Sequence, residues 1–151
     1  RELAINLVAR MQAKRPEIAI GADIIAGFPT EDDAMFANSL DLVRQCNIVH
    51  GHIFPYSPKK GTPAALMPQV SPSVIKARAK ALRDAVAVER DAWLANQVGI
   101  TQKIAVELGG MSGHAENFAY VKLDRQMAEG SIVPVVVREY KDSALLAEVI
   151  E

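Results

Sequence analysis

Cysteine is almost absent from this sequence, because Cys46 is the only one among 151 residues. A single thiol excludes an internal disulfide framework and a cluster site built from three or four thiolates of this chain. No apolar run approaches the roughly 20 residues of a membrane span, and the start lacks the order of a signal peptide. With 50% hydrophobic residues and a net charge of −1, the composition excludes a disordered chain. We therefore expect a soluble, cytoplasmic globular protein, and Arg1 in first position suggests a piece of a longer one.

The first part of the chain alternates between helical and strand-like patterns. Leu3, Leu7 and Met11 recur at helical spacing, which predicts a helix over residues 2–14. Residues 17–27 form a nearly continuous apolar run, and such a run is typical of a strand covered on both faces in a parallel sheet.

A second helix is predicted to begin after Thr30. The Thr30 hydroxyl would cap it with Asp33 as the capping-box partner, while Glu31 and Asp32 favour the positive helix start. Its buried stripe would consist of Phe36, Leu40 and Val43.

A second buried strand is predicted over residues 47–54, and a third helix from Ser71 to about Gln97. The prolines and the glycine of residues 55–69 predict a loop without regular structure. Basic residues on the third helix predict a solvated face, with contact to an RNA backbone as the alternative. They are Lys76, Arg78, Lys80, Arg83 and Arg90.

From Gly99 onward the hydrophobic period changes to two, which predicts short strands of a small antiparallel β-barrel. Pro134 removes a ladder donor inside one of these strands and predicts an edge position or a bulge there. The fold class is thus α/β followed by all-β, with domains at 1–98 and 99–151. The predicted strand segments are 101–108, 117–123, 131–140 and 144–150.

The βα order predicts a ligand site, because ligands in such folds bind at the carboxyl ends of the strands. Residues 27–31 and 55–58 follow the two strands and should therefore share one rim. Three consecutive acids would repel a phosphate, so a ligand with hydroxyls or positive charge fits better. Gly27 would let the backbone approach a flat ring, on which Phe28 and Tyr56 could stack. The alternative is a well-capped helix with a buried phenylalanine.

Two segments make the chain recognisable: "DIIAGFPTEDDAMFANSLDLV" and "HIFPYSPKKGTPAALMPQVSP". They resemble the last part of the radical S-adenosylmethionine domain of the methylthiotransferases that modify tRNA, and the barrel resembles their OB-like TRAM domain. The resemblance implies the C-terminal part of a partial (β/α) barrel followed by TRAM. It also implies S-adenosylmethionine and two 4Fe–4S clusters in the full-length enzyme.

The resemblance assigns residues at the two corners to the cofactor site. They are Gly27, Phe28, Pro29, Glu31, Phe54, Tyr56 and Ser57. The first corner matches the family's corner along the adenosine half of the cofactor, and the second matches the end of the next strand. The family often has glycine where this chain has Thr30. The family's CxxxCxxC motif has no counterpart here, so no cluster is expected in this fragment and it should not run the radical step alone. The run from His52 to Ser57 resembles the branch acting on threonylcarbamoyladenosine beside the anticodon.

The segment "GHAENFAYVKL" resembles the RNA-facing turn and strand of TRAM. The resemblance implies tRNA contacts from His114, Asn117, Phe118 and Tyr120, with Lys103, Lys122 and Arg125 for phosphates. Charge opposes strong binding, since five Lys or Arg against eight Asp or Glu give −3 from Gly99 onward. The missing N-terminal domains should therefore help to hold tRNA.

Other interpretations remain open on the sequence. The chain could be a stand-alone nucleic-acid-binding or scaffold module, or an unrelated barrel enzyme. His50 and His52 share a strand face but have no neighbouring ligand, so no metal site is predicted. Cys46 is predicted to be a small buried hydrophobe. The isolated piece should self-associate, because strands cut from a larger barrel leave an unpaired edge.

Overall fold

The computed structural model describes residues 1–150 and divides the chain into two compact units, Arg1–Arg90 and Asp91–Glu151. The predicted change at 98–99 falls inside the second unit, because the last turn of the third helix belongs with the barrel. Among residues 1–150, no helix combines the length and apolar character needed to cross a bilayer.

The first unit contains two parallel strands joined by a crossover helix, as the sequence predicts. Strand β1 (Ile20–Ala26) pairs with β2 (Ile48–Pro55) in a register that sets Ile24 opposite Ile53. Helices cover one face of this pair, and the core there includes Val43, Leu82 and Val86. The elements are α1 (Glu2–Lys14), β1 (Ile20–Ala26), α2 (Asp33–Gln45), β2 (Ile48–Pro55), a short 3-10 helix (Pro63–Leu66) and α3 (Pro72–Ala95).

Two predictions for the first unit are wrong. Strand β1 is covered on one face only, since Gly21, Asp23 and Ile25 are exposed while the alternate positions face the helices. An apolar run cannot by itself distinguish one covered face from two. The predicted loop also contains regular structure, because Pro63 begins the 3-10 helix at a position where its missing N–H costs nothing.

The second unit is a closed five-stranded barrel in the order β3-β4-β5-β7-β6. Its strands are β3 (Thr101–Val106), β4 (Ser112–Ala115), β5 (Tyr120–Leu123), β6 (Ile132–Lys141) and β7 (Ala144–Val149). A ring with an odd number of strands cannot alternate in direction throughout, so the predicted all-antiparallel pairing fails at β5–β7, which is parallel. Strand β4 was not predicted, because its four residues carry too little alternation.

Pro134 lies in neither of the predicted places. Strand β6 pairs with β3 on one side and β7 on the other, so it is not an edge strand. The register shift of β6 falls between Val137 and Glu139, away from the proline. Pro134 stands where the β6–β7 ladder ends, and its carbonyl accepts from the Ile150 amide at 3.0 Å. Only one terminal ladder bond is lost there.

Gly113 is the most closely packed glycine of the described chain, because a Cβ added to it would lie 2.0 Å from the Ala105 carbonyl oxygen. We expect Gly113→Ala to lower the free energy of unfolding of the barrel by about 3 kcal/mol, since backbone would have to move. Urea unfolding followed by the fluorescence of Trp93, the single tryptophan, measures this change, because Trp93 packs against the barrel core. Ser112→Ala, at the half-exposed neighbour, should change stability by less than about 0.5 kcal/mol. Equal stability of the two variants would contradict the close packing.

Candidate functional site

The two predicted corners lie side by side, which confirms that they share one rim. Ala26 and Pro55 are opposite each other at the carboxyl ends of β1 and β2. The Tyr56 amide donates to the Ala26 carbonyl at 2.8 Å and ties the second corner to the first. The rings of Phe28 and Tyr56 meet edge to face, with centroids 5.4 Å apart and planes at 73°. The rim therefore carries a pair of adjacent aromatic rings.

The predicted cofactor residues differ in how much surface they offer. Phe28 and Phe54 are 43% and 52% exposed, and Ser57 is exposed as well. The Tyr56 hydroxyl is buried, and no hydrogen-bond partner reaches it among residues 1–150. A buried hydroxyl without a partner costs free energy, so a donor or acceptor from outside the described chain fits this position.

Gly27 and Pro29 shape the first corner from within, because both are buried. Gly27 has a left-handed φ of 73°, and a Cβ there would lie 2.5 Å from Cγ1 of Ile75 in α3. Glycine is thus required at position 27 because the Ile75 side chain of helix α3, within the same chain, approaches it closely. Thr30 also has a left-handed φ, of 71°, which is strained for a β-branched residue. Its amide donates to the Pro68 carbonyl at 3.2 Å.

The N-cap of α2 is Asp32, so the prediction that Thr30 caps the helix is wrong. The Asp32 carboxylate accepts from the Met35 amide at 2.7 Å. Thr30 cannot serve because its left-handed backbone belongs to the preceding turn. Asp33 is the first helical residue and makes no capping box.

The other two acids bind a single guanidinium. Arg78 Nη1 donates to Glu31 Oε1 and to the Glu31 carbonyl, both at 2.8 Å, and Nη2 donates to Asp33 Oδ1 at 2.7 Å. Glu31 Oε1 also accepts from the Gly27 amide at 3.1 Å. Each carboxylate of the corner thus has a partner in the chain, but Arg78 offsets only one of the three negative charges, because the partner of Asp32 is a neutral amide.

The prediction that Arg78 belongs to a solvated face is wrong, since it is 7% exposed. Its guanidinium carbon lies 5.3 Å from the ring centroid of Phe36. Burial opposes the charged form, but the hydrogen bonds that Arg78 donates to Asp33 and Glu31, together with the negative charges of these two acids, outweigh it and raise the pKa of Arg78 above its usual range. The helical spacing could have predicted the burial of Arg78. This residue stands three positions after Ile75 and four before Leu82, on the buried stripe of α3.

The histidines of β2 lie on the open face of the sheet, as alternation predicts. His52 is in register with Asp23, so a carboxylate does lie beside it in space. Residues 1–150 nevertheless hold no group of three His, Cys, Asp or Glu placed to hold a metal ion. Cys46 is 2% exposed, and burial raises the pKa of its thiol.

On the barrel, the outer face of β3, β4 and β5 brings together part of the predicted RNA set. Ala105, His114 and Tyr120 stand side by side across the three strands. The rings of His114 and Tyr120 are 5.4 Å apart and tilted by 57°, and His114 Nδ1 lies 2.7 Å from Glu107 Oε1. His114 was predicted in a turn but lies in β4.

Asn117 and Phe118 form the turn after β4 and have different surroundings. Asn117 Nδ2 donates to Gln97 Oε1 at 3.2 Å, and its Oδ1 accepts from the Ala119 amide at 3.2 Å. Gln97 is 5% exposed and also accepts from Gln102 at 2.8 Å. Phe118 is 72% exposed with a φ of 64°. Sequence reasoning did not identify Gln97, because its partner Asn117 is 20 positions away along the chain.

The three basic candidates do not cluster at one point. Lys103 and Lys122 are exposed on the same outer face, but they stand on opposite sides of the row that contains His114 and Tyr120. Arg125 follows the end of β5 and is exposed. The row that contains His114 and Tyr120 thus lies between Lys103 and Lys122.

A βα segment with a shared rim, followed by a small barrel, is the architecture that the sequence resemblance implies. No protein-family model matches the chain. It is 41% identical over 87% of its length to the threonylcarbamoyladenosine tRNA methylthiotransferase of Rickettsia prowazekii. It is 33% identical over 99% of its length to the tRNA-2-methylthio-N(6)-dimethylallyladenosine synthase of Erythrobacter litoralis.

The chain spans only about a third of these relatives, 31% and 35% of their respective lengths. A synthase of the same name from Bartonella henselae is 28% identical over 95% of the chain. The chain belongs to the tRNA methylthiotransferase family, and the resemblance seen in the sequence is confirmed.

The strained backbone at Thr30 leads to a stability prediction. We expect Thr30→Gly to raise the free energy of unfolding of the first unit by about 0.5–1 kcal/mol, because relief of the left-handed strain exceeds the entropy that glycine adds to the unfolded chain. Chemical denaturation followed by circular dichroism at 222 nm measures it. Thr62→Gly should destabilise instead, since Thr62 has a φ of −96° and its hydroxyl donates to the Lys59 carbonyl. A loss of stability in Thr30→Gly would show that the strain is absent.

Proposed function

We propose that this chain is the C-terminal portion of a longer tRNA methylthiotransferase, in which the first unit forms one wall of the S-adenosylmethionine site and the barrel is the tRNA-binding TRAM domain. The observation that carries the proposal is the juxtaposition of the two corners at the carboxyl ends of β1 and β2. Ligands of parallel βα folds bind at this edge. Such an enzyme would act in the cytoplasm on tRNA.

The residues at the rim fit the adenosine half of the cofactor. The exposed rings of Phe28 and Phe54 can pack on a purine, and the buried Tyr56 hydroxyl can exchange a hydrogen bond with a polar group of the ligand. Ser57 adds a second hydroxyl. Glu31 and Pro29 support the corner from inside and would contact the cofactor less directly.

The chemistry of methylthiolation requires groups outside this sequence. When bound with its cluster, S-adenosylmethionine supplies the radical and methyl chemistry of the family. Cys46 is the only thiol here, so the two 4Fe–4S clusters would be held by cysteines of the N-terminal domains. The role of this chain is to bind and orient the cofactor and tRNA. Unpaired edges of β1 and β2 would join the missing strands, and an isolated chain would self-associate through them.

A threonylcarbamoyladenosine substrate is favoured over an isopentenyl-type adenosine. Identity to the relative named for the former modification is 41%, against 33% and 28% for two relatives named for the latter. Analysis of nucleosides in tRNA treated with the longer enzyme would distinguish the two substrates.

Cofactor binding tests the first half of the proposal. In the longer enzyme, we expect Phe28→Ala to weaken S-adenosylmethionine binding about tenfold, since stacking on an aromatic ring contributes on the order of 1–3 kcal/mol. Tyr56→Phe should weaken it by a smaller factor, because only one hydrogen bond is lost. Equilibrium binding of labelled cofactor measures both, and Leu66→Ala, at the end of the 3-10 helix with 90% exposure, is the control. Unchanged affinity in Phe28→Ala would reject the cofactor corner.

RNA binding tests the second half. Phe118→Ala is expected to weaken binding of an anticodon stem-loop RNA about tenfold without changing the salt dependence, because stacking involves no release of counterions. Lys122→Gln should reduce both the affinity and the slope against salt. Met35→Ala, an exposed apolar residue of α2 outside the barrel, is the control. RNA binding that depends on Phe118, together with failure of the longer protein to bind S-adenosylmethionine, would favour the stand-alone RNA-binding module instead.

A further inference from the structure

Arg78 joins α3 to the corner between β1 and α2. Its side chain is 8% exposed, and two of its donors reach the backbone carbonyl and the carboxylate of Glu31. The Glu31 side chain is itself only 10% exposed, whereas the Asp33 side chain is fully exposed. Solvent screens the Asp33 pair, so the Glu31 pair makes the dominant contribution.

Glu31 transmits this contact to the opposite end of the corner. Its Oε1 atom accepts from Arg78 Nη1 at 2.8 Å and from the Gly27 amide at 3.1 Å. Arg78 therefore acts on both ends of residues 27–31. Two residues of this segment, Gly27 and Thr30, have left-handed backbone conformations, of which the one at Thr30 is unfavourable. Residues 27–31 do not favour this backbone conformation by themselves, so a contact from outside the segment must maintain it.

Helix α3 contacts the corner with one short stretch of its length. Ile75, one turn before Arg78, packs directly on Gly27. The ring of Phe36 lies within cation–π distance of the guanidinium. The guanidinium reaches the Glu31 carbonyl and carboxylate with one nitrogen and Asp33 with another, and lysine has only one donor nitrogen, so lysine is not an equivalent residue here.

We propose that Arg78 is a positioning residue, which holds residues 27–31 in the shape that presents Phe28 to the cofactor and does so through Glu31. The inference rests on the proposed cofactor site for its functional consequence, but the action of Arg78 on the corner stands on the contacts of this chain. Arg78 itself touches no cofactor; it sets the geometry of the residues that do.

The first test measures the corner in this chain. In Arg78→Lys, hydrogen exchange of the Gly27 amide should accelerate about tenfold or more, since its acceptor Glu31 is no longer held. Exchange of the amides in the β1–β2 ladder should stay as in the unchanged chain. Arg83→Lys, at an exposed position of the same helix, should leave all of these rates unchanged. An unchanged Gly27 rate, or an equal acceleration throughout the ladder, would overturn the proposal.

The second test measures function in the longer enzyme and uses rescue. Arg78→Lys should raise the dissociation constant of S-adenosylmethionine about tenfold, a loss of one charge-assisted hydrogen bond. Adding Thr30→Gly should recover most of that loss, because glycine adopts the left-handed conformation without help. The same Thr30→Gly change alone should alter affinity little.

The outcomes separate the two proposals. Weakened binding without rescue by Thr30→Gly would overturn the positioning role, since the defect would then not lie in the corner's backbone. If the unchanged longer enzyme binds no S-adenosylmethionine, the proposed function fails, while the exchange rate of Gly27 still decides whether Arg78 holds the corner. Equal affinity of Arg78→Lys and the unchanged enzyme would also reject the inference.

Discussion

The parallel register of β1 and β2 is the constraint on which the candidate site depends. Because Ala26 is opposite Pro55, both strands end at the same level and the chain leaves them as two adjacent corners. A shift of one residue would turn every side chain of one strand to the other face. Gly51 helps to fix the register, since a Cβ there would lie 2.6 Å from Val86 of α3. Val86 thus packs at a position where the strand has no side chain.

The acidic residues of the first corner are paired within the chain. Each of the three consecutive acids at this helix start has a partner within the chain, and Arg78 offsets one of their three charges. A buried ion pair contributes little net stability when compared with an apolar pair, because both partners lose hydration. Its value here is geometric, since it fixes the backbone of residues that face outward. What the rim offers to a ligand is two aromatic rings and hydroxyl groups, a surface suited to a nucleoside.

Much of the fold could be predicted from the sequence, because helices and strands have different hydrophobic periods. The three helices, the two parallel strands and the shared rim all follow from that periodicity and from the rule that parallel strands end together. The position of the N-cap did not, since Thr30 and Asp32 are both good capping residues and only the backbone conformation of Thr30 excludes it. Strand β4 was missed because its pairing with β3 and β5, and not its own pattern, makes it a strand.

Residues that act through distant partners were beyond sequence reasoning. Arg78 and Glu31 are 47 positions apart, so nothing local indicates that they pair. Gln97 and Asn117 present the same problem at a separation of 20 positions. Whether one face of β1 or both are covered depends on the elements that pack on the sheet, and composition does not show these elements. In each case the missing information is a tertiary contact.

The barrel's acidity and its proposed RNA contact can be reconciled through the partners of its acids. Glu107 pairs with His114, Glu148 with Arg138, and Glu129 accepts from the Gly109 amide. Asp124 likewise accepts from the Val149 amide, so half of the eight acids have roles within the barrel. Pairing does not remove their charge at long range, and the phosphate contribution therefore stays small. The surface between Lys103 and Lys122 is instead aromatic, and stacking on unpaired bases is the interaction that an acidic barrel can still provide. Because Asn117 holds the turn from inside, Phe118 can be exposed without the loop losing its shape.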